Sequence, residues 1–468
     1  MKCLVLRLCV IVTAVALTTT IAAQNAPRQV AAIVTGGIVV TVDGARNIYN
    51  PGAVAIDGTN IVAVGPAADL AARFNAAEQI TAAGSVVMPG LINTHMHAPM
   101  VLYRGLADDL PLKEWLEKYI FPAEAKTVSR DMVRVGTRLA LLEMIQSGTT
   151  AYADMYYFEE EIARTTKAAG VRGVLGQTII QFPVPDAKTP PEGLARTEAF
   201  IKEFQNDDLI VPAVAPHAPY TLDAKTLLAS RALATKHGVP LLIHLAETEP
   251  ELKNSQAAHA GMSPVAYLQS IAFWGPRTVA NHGVWVNAAD IKILRAHEVA
   301  VSHNPESNMK LASGIAPVPE YLAAGVVVGL GTDGAASNND LDMFEAMRLT
   351  ALLHKVKTGD PRAIPASTAL DMATIGGARA LGLDKQIGSL EAGKRADLLV
   401  VSMASARQTP MYDPVSHLVY ATRGDDVQTV IVNGRVLMRQ RKMLTLDEAV
   451  VLADARKMAA AVRAAVGK

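Results

Sequence analysis

Short apolar runs alternate with longer stretches of helical period along most of the chain. Eight runs have the length and composition of buried strands: 86–93, 149–154, 173–180, 209–215, 240–245, 278–281, 299–302 and 326–331. The intervals between them carry amphipathic patterns such as MVRVGTRLALLEMIQSG (132–148), where Gly148 suits a helix C-cap. Eight β/α alternations over about 300 residues predict a (β/α)8 barrel. An open doubly wound sheet is the competing architecture, but no GxGxxG follows the first run, which counts against a dinucleotide fold.

The two ends of the chain have a different rhythm. Runs at 31–42, 52–56, 61–64 and 85–88 are short, β-like and punctuated by Gly and Asp. Similar runs return at 396–402 and 429–438, the latter containing Asn433-Gly434, a strong hairpin turn. The ends are expected to form one small β-sandwich domain, with a closing C-terminal helix opened by a capping box of Thr445 and Glu448. The resulting division is 24–87 and 388–468 for the β domain, and 88–387 for the barrel.

The first 23 residues stand apart. Lys2 and Arg7 precede an apolar run from Leu8 to Leu17, and small residues ending Ala22-Ala23 follow. This is the layout of a secretory signal peptide. The alternative, a retained membrane anchor, needs about 20 apolar residues, and this run is shorter. The expectation is therefore an exported protein, periplasmic or secreted, with no membrane association once mature. Both cysteines, Cys3 and Cys9, fall within this segment, so no cysteine remains afterwards to bind metal or act as a nucleophile. The formal net charge is zero, which removes the basic excess expected of a nucleic-acid binder. A small-molecule substrate is expected, and homo-oligomerisation stays open.

In a (β/α)8 barrel the chemistry sits at the C-terminal ends of the strands. Six of the 11 histidines fall there: His95 and His97, then His217, His244, His282 and His303. Glu247 follows His244 in HLAETEPE, and Asp333 closes the eighth run in GTDG. Residues i and i+2 of a strand face the same way, so His95 and His97 can both point to the barrel axis. With His244 and Asp333 they form a set of three nitrogens and one oxygen, suited to zinc or iron(II). A polar rim of ordinary histidines is the bland alternative. His303 is read as ordering its loop, since four ligands already satisfy zinc. Ser337 is read either as a substrate contact or as the cap of the next helix.

The segments PGLINTHMHAPM, HLAETEPE, NHGVWV, SHNPESNMKLASGIAPV and GLGTDGAASNNDLDMFEAMR resemble the amidohydrolase superfamily. Within it they are most similar to the methylthioadenosine/S-adenosylhomocysteine deaminase branch, which also resembles guanine deaminases and triazine hydrolases. The resemblance implies that His95, His97, His244 and Asp333 bind one zinc ion per chain. It implies catalytic roles for Glu247 and His282, a nucleoside pocket lined by Trp115 and His217, and Glu124 holding the ribose hydroxyls. The residue types add Asp333 as acceptor of the water's proton, and Glu247, Asp333 and Ser337 are taken with these as substrate contacts. Two-metal relatives carry a lysine at the end of the fourth strand; IVPAVAPHAPY has none, which fits a single metal.

The implied activity is hydrolytic deamination of adenine nucleosides such as 5′-methylthioadenosine, adenosine or S-adenosylhomocysteine. Another aminated or halogenated heterocycle is the alternative, and a metal-free barrel kept as a scaffold is a third reading that the intact ligand set disfavours. Relatives that accept S-adenosylhomocysteine place an arginine at the end of the third strand for its carboxylate. Gln177 stands there in this chain, which leaves Lys188 and Arg196 as replacement cations.

Overall fold

The computed structural model describes residues 27–467; the expected signal segment falls outside them. Two sheets organise the described residues. The first is built from both chain ends: β1 (Arg28–Val40), β2 (Ile48–Asp57), β3 (Asn60–Pro66), β4 (Phe74–Thr81) and β5 (Ser85–Pro89) come from the N-terminal side. The second is an eight-stranded parallel sheet: β6 (Leu91–Met96), β7 (Thr149–Tyr156), β8 (Arg172–Ile179), β9 (Ile210–Pro216), β10 (Leu241–Leu245), β11 (Thr278–His282), β12 (Ala300–His303) and β13 (Val328–Leu330). The C-terminal side returns β14 (Leu398–Ser402), β15 (Val427–Val432), β16 (Arg435–Arg439) and β17 (Lys442–Met443) to the first sheet.

The parallel strands neighbour each other in strict chain order from β6 to β13. The sheet then curls until its ends meet. Asp333 N–H donates to His95 O at 2.9 Å, and Thr332 N–H donates to Asn93 Oδ1 at 3.1 Å, so the seam between the last and first strands lies at the strand ends that carry the site. Alternate residues fill the interior: Ala151, Ala153 and Met155 from β7, Ala213 and Ala215 from β9. Helices surround the strands. The one spanning Arg130–Ser147 starts where the Ser129 side chain accepts from Met132 N–H and stops at Gly148, whose φ of 92° takes the left-handed region.

In the chain-end sheet β14 pairs antiparallel with β5 and β15, while β1 pairs with β2, β4 and β5. It is one continuous nine-stranded sheet, with β15 and β16 joined at Asn433-Gly434, both at positive φ. That turn is the one the sequence predicts. Two other expectations need correction. The run 86–93 is not one strand: it divides at Gly90, so that Val86–Met88 belong to the chain-end sheet and Leu91–Asn93 to the barrel. Pro89 cannot donate to a ladder, and a Cβ at position 90 would lie 2.0 Å from Thr150 Oγ1, so the chain crosses between sheets there. The C-terminal helix (Glu448–Val466) is capped by Asp447, which accepts from Val450 N–H, and not by Thr445. A carboxylate nearer the first turn outcompetes the hydroxyl.

A buried ion pair fastens the two sheets. Arg172, at the start of β8, places Nε 3.1 Å from Asp397 Oδ2 and donates from Nη1 to Asp208 O at 2.8 Å. Among the described residues no helix is long and apolar enough to cross a membrane.

Candidate functional site

His95 lies on β6 and is fully buried; His97 follows the strand by one residue, and their rings meet edge to face at 4.9 Å between centroids. His244 comes from β10 and Asp333 from just beyond β13. The Nε2 atoms of His95 and His97 lie 3.5 and 3.3 Å from Asp333 Oδ1. The Nε2 atoms of His97 and His244 lie 3.3 Å apart.

The hydrogen bonds of this donor set suit a bound cation. His97 Nδ1 lies 2.7 Å from Met155 O, and His244 Nδ1 lies 2.7 Å from His217 O. A carbonyl only accepts, so both Nδ1 atoms carry hydrogen, and the neutral rings present lone pairs at Nε2. His95 Nε2 is buried with no hydrogen-bond partner. Ligand atoms of His95, His97 and His244 converge, as do those of His95, His282 and Asp333, and with Asp333 beside His95 and His97 the cluster fits a divalent ion of the zinc or iron(II) type. The carbonyl partners are the outer contacts that fix ring orientation in metal sites.

Asp333 is held hard in place. Its φ is 63°, its Oδ1 accepts from Gly334 N–H at 2.7 Å, and its Oδ2 accepts from Ser307 Oγ at 2.7 Å and Ser337 Oγ at 3.2 Å. Burial works to raise its pKa, but the adjacent rings of His95 and His97 outweigh it and keep the carboxylate well below its ordinary value. Gly331 makes the approach possible, because a Cβ there would sit 2.5 Å from Asn304 Oδ1 and 2.9 Å from His95 N.

Glu247 and His282 form the adjoining wall. His282 Nε2 lies 3.7 Å from Glu247 Oε2 and 3.9 Å from Asp333 Oδ2. The His282 ring is anchored from behind, with Nδ1 2.9 Å from Asn308 Oδ1 and 3.3 Å from Asn304 Nδ2, and its backbone takes a φ of 73°. Glu247 is buried, which pushes its pKa up, and Ser313 Oγ donates to its Oε1 at 3.4 Å. Glu251, one helical turn on, accepts from the backbone N–H groups of Ala246 and Glu247 at 2.9 and 2.8 Å and so fixes the strand end that carries Glu247.

A chamber opens above these groups. Trp115 and Glu124 line it from a π-helical turn (Trp115–Ile120) and the helix after it (Phe121–Thr127). His217, Tyr156 and Ser337 line it too. Tyr156 Oη donates to Glu124 Oε1 at 2.6 Å, and burial raises the Glu124 pKa to about 7. Every proposed ligand, catalytic and substrate residue thus meets in one place. Ser337 does not cap the following helix; Asp342 does, and Ser337 instead supports Asp333.

Other residues lie elsewhere or were missed. His303 faces His354, Nε2 to Nε2 at 3.3 Å, away from the donor set. Lys188 and Arg196 do not line the chamber: Arg196 donates to Glu160 at 2.9 Å and sits 3.5 Å from Asp186, which also accepts from Gln177. The supporting roles of Asn304, Ser307, Asn308, Glu251 and Tyr156 escape sequence reading, although SHNPESN and HLAETEPE contain four of them.

A barrel with a histidine and carboxylate cluster at its strand ends defines a metal-dependent hydrolase. Residues 86–437 match the amidohydrolase family, and residues 52–74 match a bacterial imidazolonepropionase-like composite domain. The chain belongs to the amidohydrolase family. It is 49% identical, over 92% of its length and 98% of the relative's, to a 5-methylthioadenosine/S-adenosylhomocysteine deaminase of Syntrophobacter fumaroxidans. It is 46% identical, over 91% and 97%, to a 5′-deoxyadenosine deaminase of Methanosarcina acetivorans. Among solved structures, an adenosine deaminase from Xanthomonas campestris with bound zinc superposes with a TM-score of 0.92 at 38% identity, covering 94% of this chain and all of that one.

Proposed function

We propose that this protein hydrolytically deaminates adenine nucleosides, 5′-methylthioadenosine and adenosine among them, and releases ammonia. The observation that carries the reading is the convergence of His95, His97, His244 and Asp333 beside the Glu247–His282 wall. The deaminase relatives named above support the substrate class. The same donor set supports one zinc-type ion per chain. A divalent ion held there supplies Lewis-acid activation of water.

The chain's own groups account for the proton movements. Asp333, ionised and with Oδ1 3.3 Å from His97 Nε2, is placed to accept a proton from the attacking water. Glu247, its pKa raised by burial, is suited to give a proton to the ring nitrogen beside the amino-bearing carbon. His282, anchored through Nδ1, holds the attacking oxygen with Nε2. Water oxygen bonds to the ring carbon; its remaining proton returns to Glu247 as the carbon–nitrogen bond breaks, and the proton held by Asp333 passes to the departing amine. Glu124 accepts from the ribose hydroxyls, with Trp115 and His217 flanking the nucleoside.

Ammonia release from purified protein tests the reading, with adenosine as the simplest substrate. We also propose export, on the basic, apolar and small-residue order of residues 1–23. Sequencing the N-terminus of the mature protein checks it, with a start near Gln24 expected.

A further inference from the structure

The chamber continues outward into a vestibule of about 1140 Å³. Leu112, Leu116, Phe121, Tyr220 and Leu311 border both spaces, so the passage between them is an apolar throat. With the reacting ring at the donor set and the ribose at Glu124, the throat is the space open to a 5′ substituent. The vestibule beyond is large enough for a substituent much bigger than methylthio.

Carboxylates outnumber cations around that path. Among the described residues no lysine or arginine lines the inner chamber. The vestibule has carboxylates at Asp109, Glu117, Asp223 and Glu249, against Lys113 and Lys310. Lys310 is engaged with Asp108 at 2.5 Å, while Lys113 is largely exposed and 3.9 Å from Glu117. Gln177 donates to Asp186 at 2.9 Å, and Arg196 is held by Glu160 and Asp186. An anion entering here meets an excess of carboxylates, with Lys113 at the exposed rim as the sole loosely held cation among the described lining residues, which is unfavourable where water is partly displaced.

We propose that the enzyme is selective for adenosines with an extended, apolar 5′ substituent that carries no negative charge, and that the substituent lies through the throat in the vestibule. This rests on the deaminase reading and specifies its substrate class.

The test measures kcat/KM for ammonia release by the metal-loaded full chain with adenosine, 5′-methylthioadenosine, 5′-benzylthioadenosine, S-adenosylhomocysteine and the carboxamide of S-adenosylhomocysteine. The benzylthio compound should fall within about threefold of the methylthio compound, and the carboxamide should exceed S-adenosylhomocysteine by roughly tenfold or more, the scale of one charge-assisted contact. Glu117→Lys, at an exposed vestibule position, should narrow the gap in kcat/KM between carboxamide and acid. Equal or better turnover of S-adenosylhomocysteine, or a steep loss with the benzylthio group, overturns the proposal while adenosine turnover upholds the deaminase reading. No ammonia from any of the five, adenosine included, overturns both.

Discussion

The Nε2 atoms of His97 and His244 face each other at 3.3 Å, and neither ring is free to turn away. Each is pinned by an Nδ1–H bond to a carbonyl, Met155 O for one and His217 O for the other. Two lone pairs held at this distance repel unless a proton or a metal ion lies between them. Without metal, a proton is drawn to His97: burial opposes the charge, but Asp333 beside it raises the pKa to about 9. A divalent ion replaces that proton and satisfies His95 Nε2 as well. His244→Ala should therefore abolish metal retention and lower kcat by at least ~10³-fold, the several kcal/mol a Lewis acid supplies. Elemental analysis beside the rate assay checks it, and a variant that keeps a full equivalent of metal refutes the assignment.

Glu247→Gln separates chemistry from metal binding. The amide keeps the shape but has no carboxyl proton to give, so turnover should drop by ~10²–10⁴-fold with metal content unchanged. Near wild-type kcat would reduce Glu247 to a positioning residue.

The strand-end motifs were legible because metal and proton chemistry restrict residue type. HxH, HxxE and GTDG use side chains that few structural needs place at three separate strand ends, and all of them converge. The supports were not legible. Asn308 and Asn304 anchor His282, and Glu251 anchors Glu247, through contacts defined only once β10, β11 and the following loops are assembled. The barrel was readable from its alternation of buried runs and amphipathic stretches. The break at Gly90 was not, since its cause is a close approach to Thr150, about 60 residues away along the chain. Thr445 matched a capping pattern locally, but Asp447 stood closer to the first turn.

Glu251→Ala tests one of these supports. It leaves the N–H groups of Ala246 and Glu247 without their acceptor, at a cost of about 1–3 kcal/mol. Urea unfolding should show that loss, and kcat should fall with metal retained. Unchanged kcat would mean that Glu247 is positioned without it.

The Glu124 carboxyl, raised to about 7 by burial, gives the site a pH dependence of defined sign. Above that value it is a carboxylate that accepts from ribose hydroxyls; below it, protonation removes an acceptor. KM for adenosine should rise about tenfold between pH 8 and pH 6, with a flat profile in Glu124→Gln. A wild-type KM independent of pH contradicts the assignment.

Arg172→Ala leaves Asp397 buried without its partner between the two sheets. A loss of about 3–5 kcal/mol in urea unfolding is expected. The site is remote, so kcat of the folded fraction should be unchanged; a loss under 1 kcal/mol would show that water reaches the pair.

The most direct test is a single titration. Metal-depleted protein is supplied with increasing zinc, and ammonia release from adenosine is followed at each step. The account predicts activity that rises linearly and stops at one equivalent per chain. Full activity in metal-free protein, a plateau at two equivalents, or a loaded chain that releases no ammonia from adenosine would contradict it.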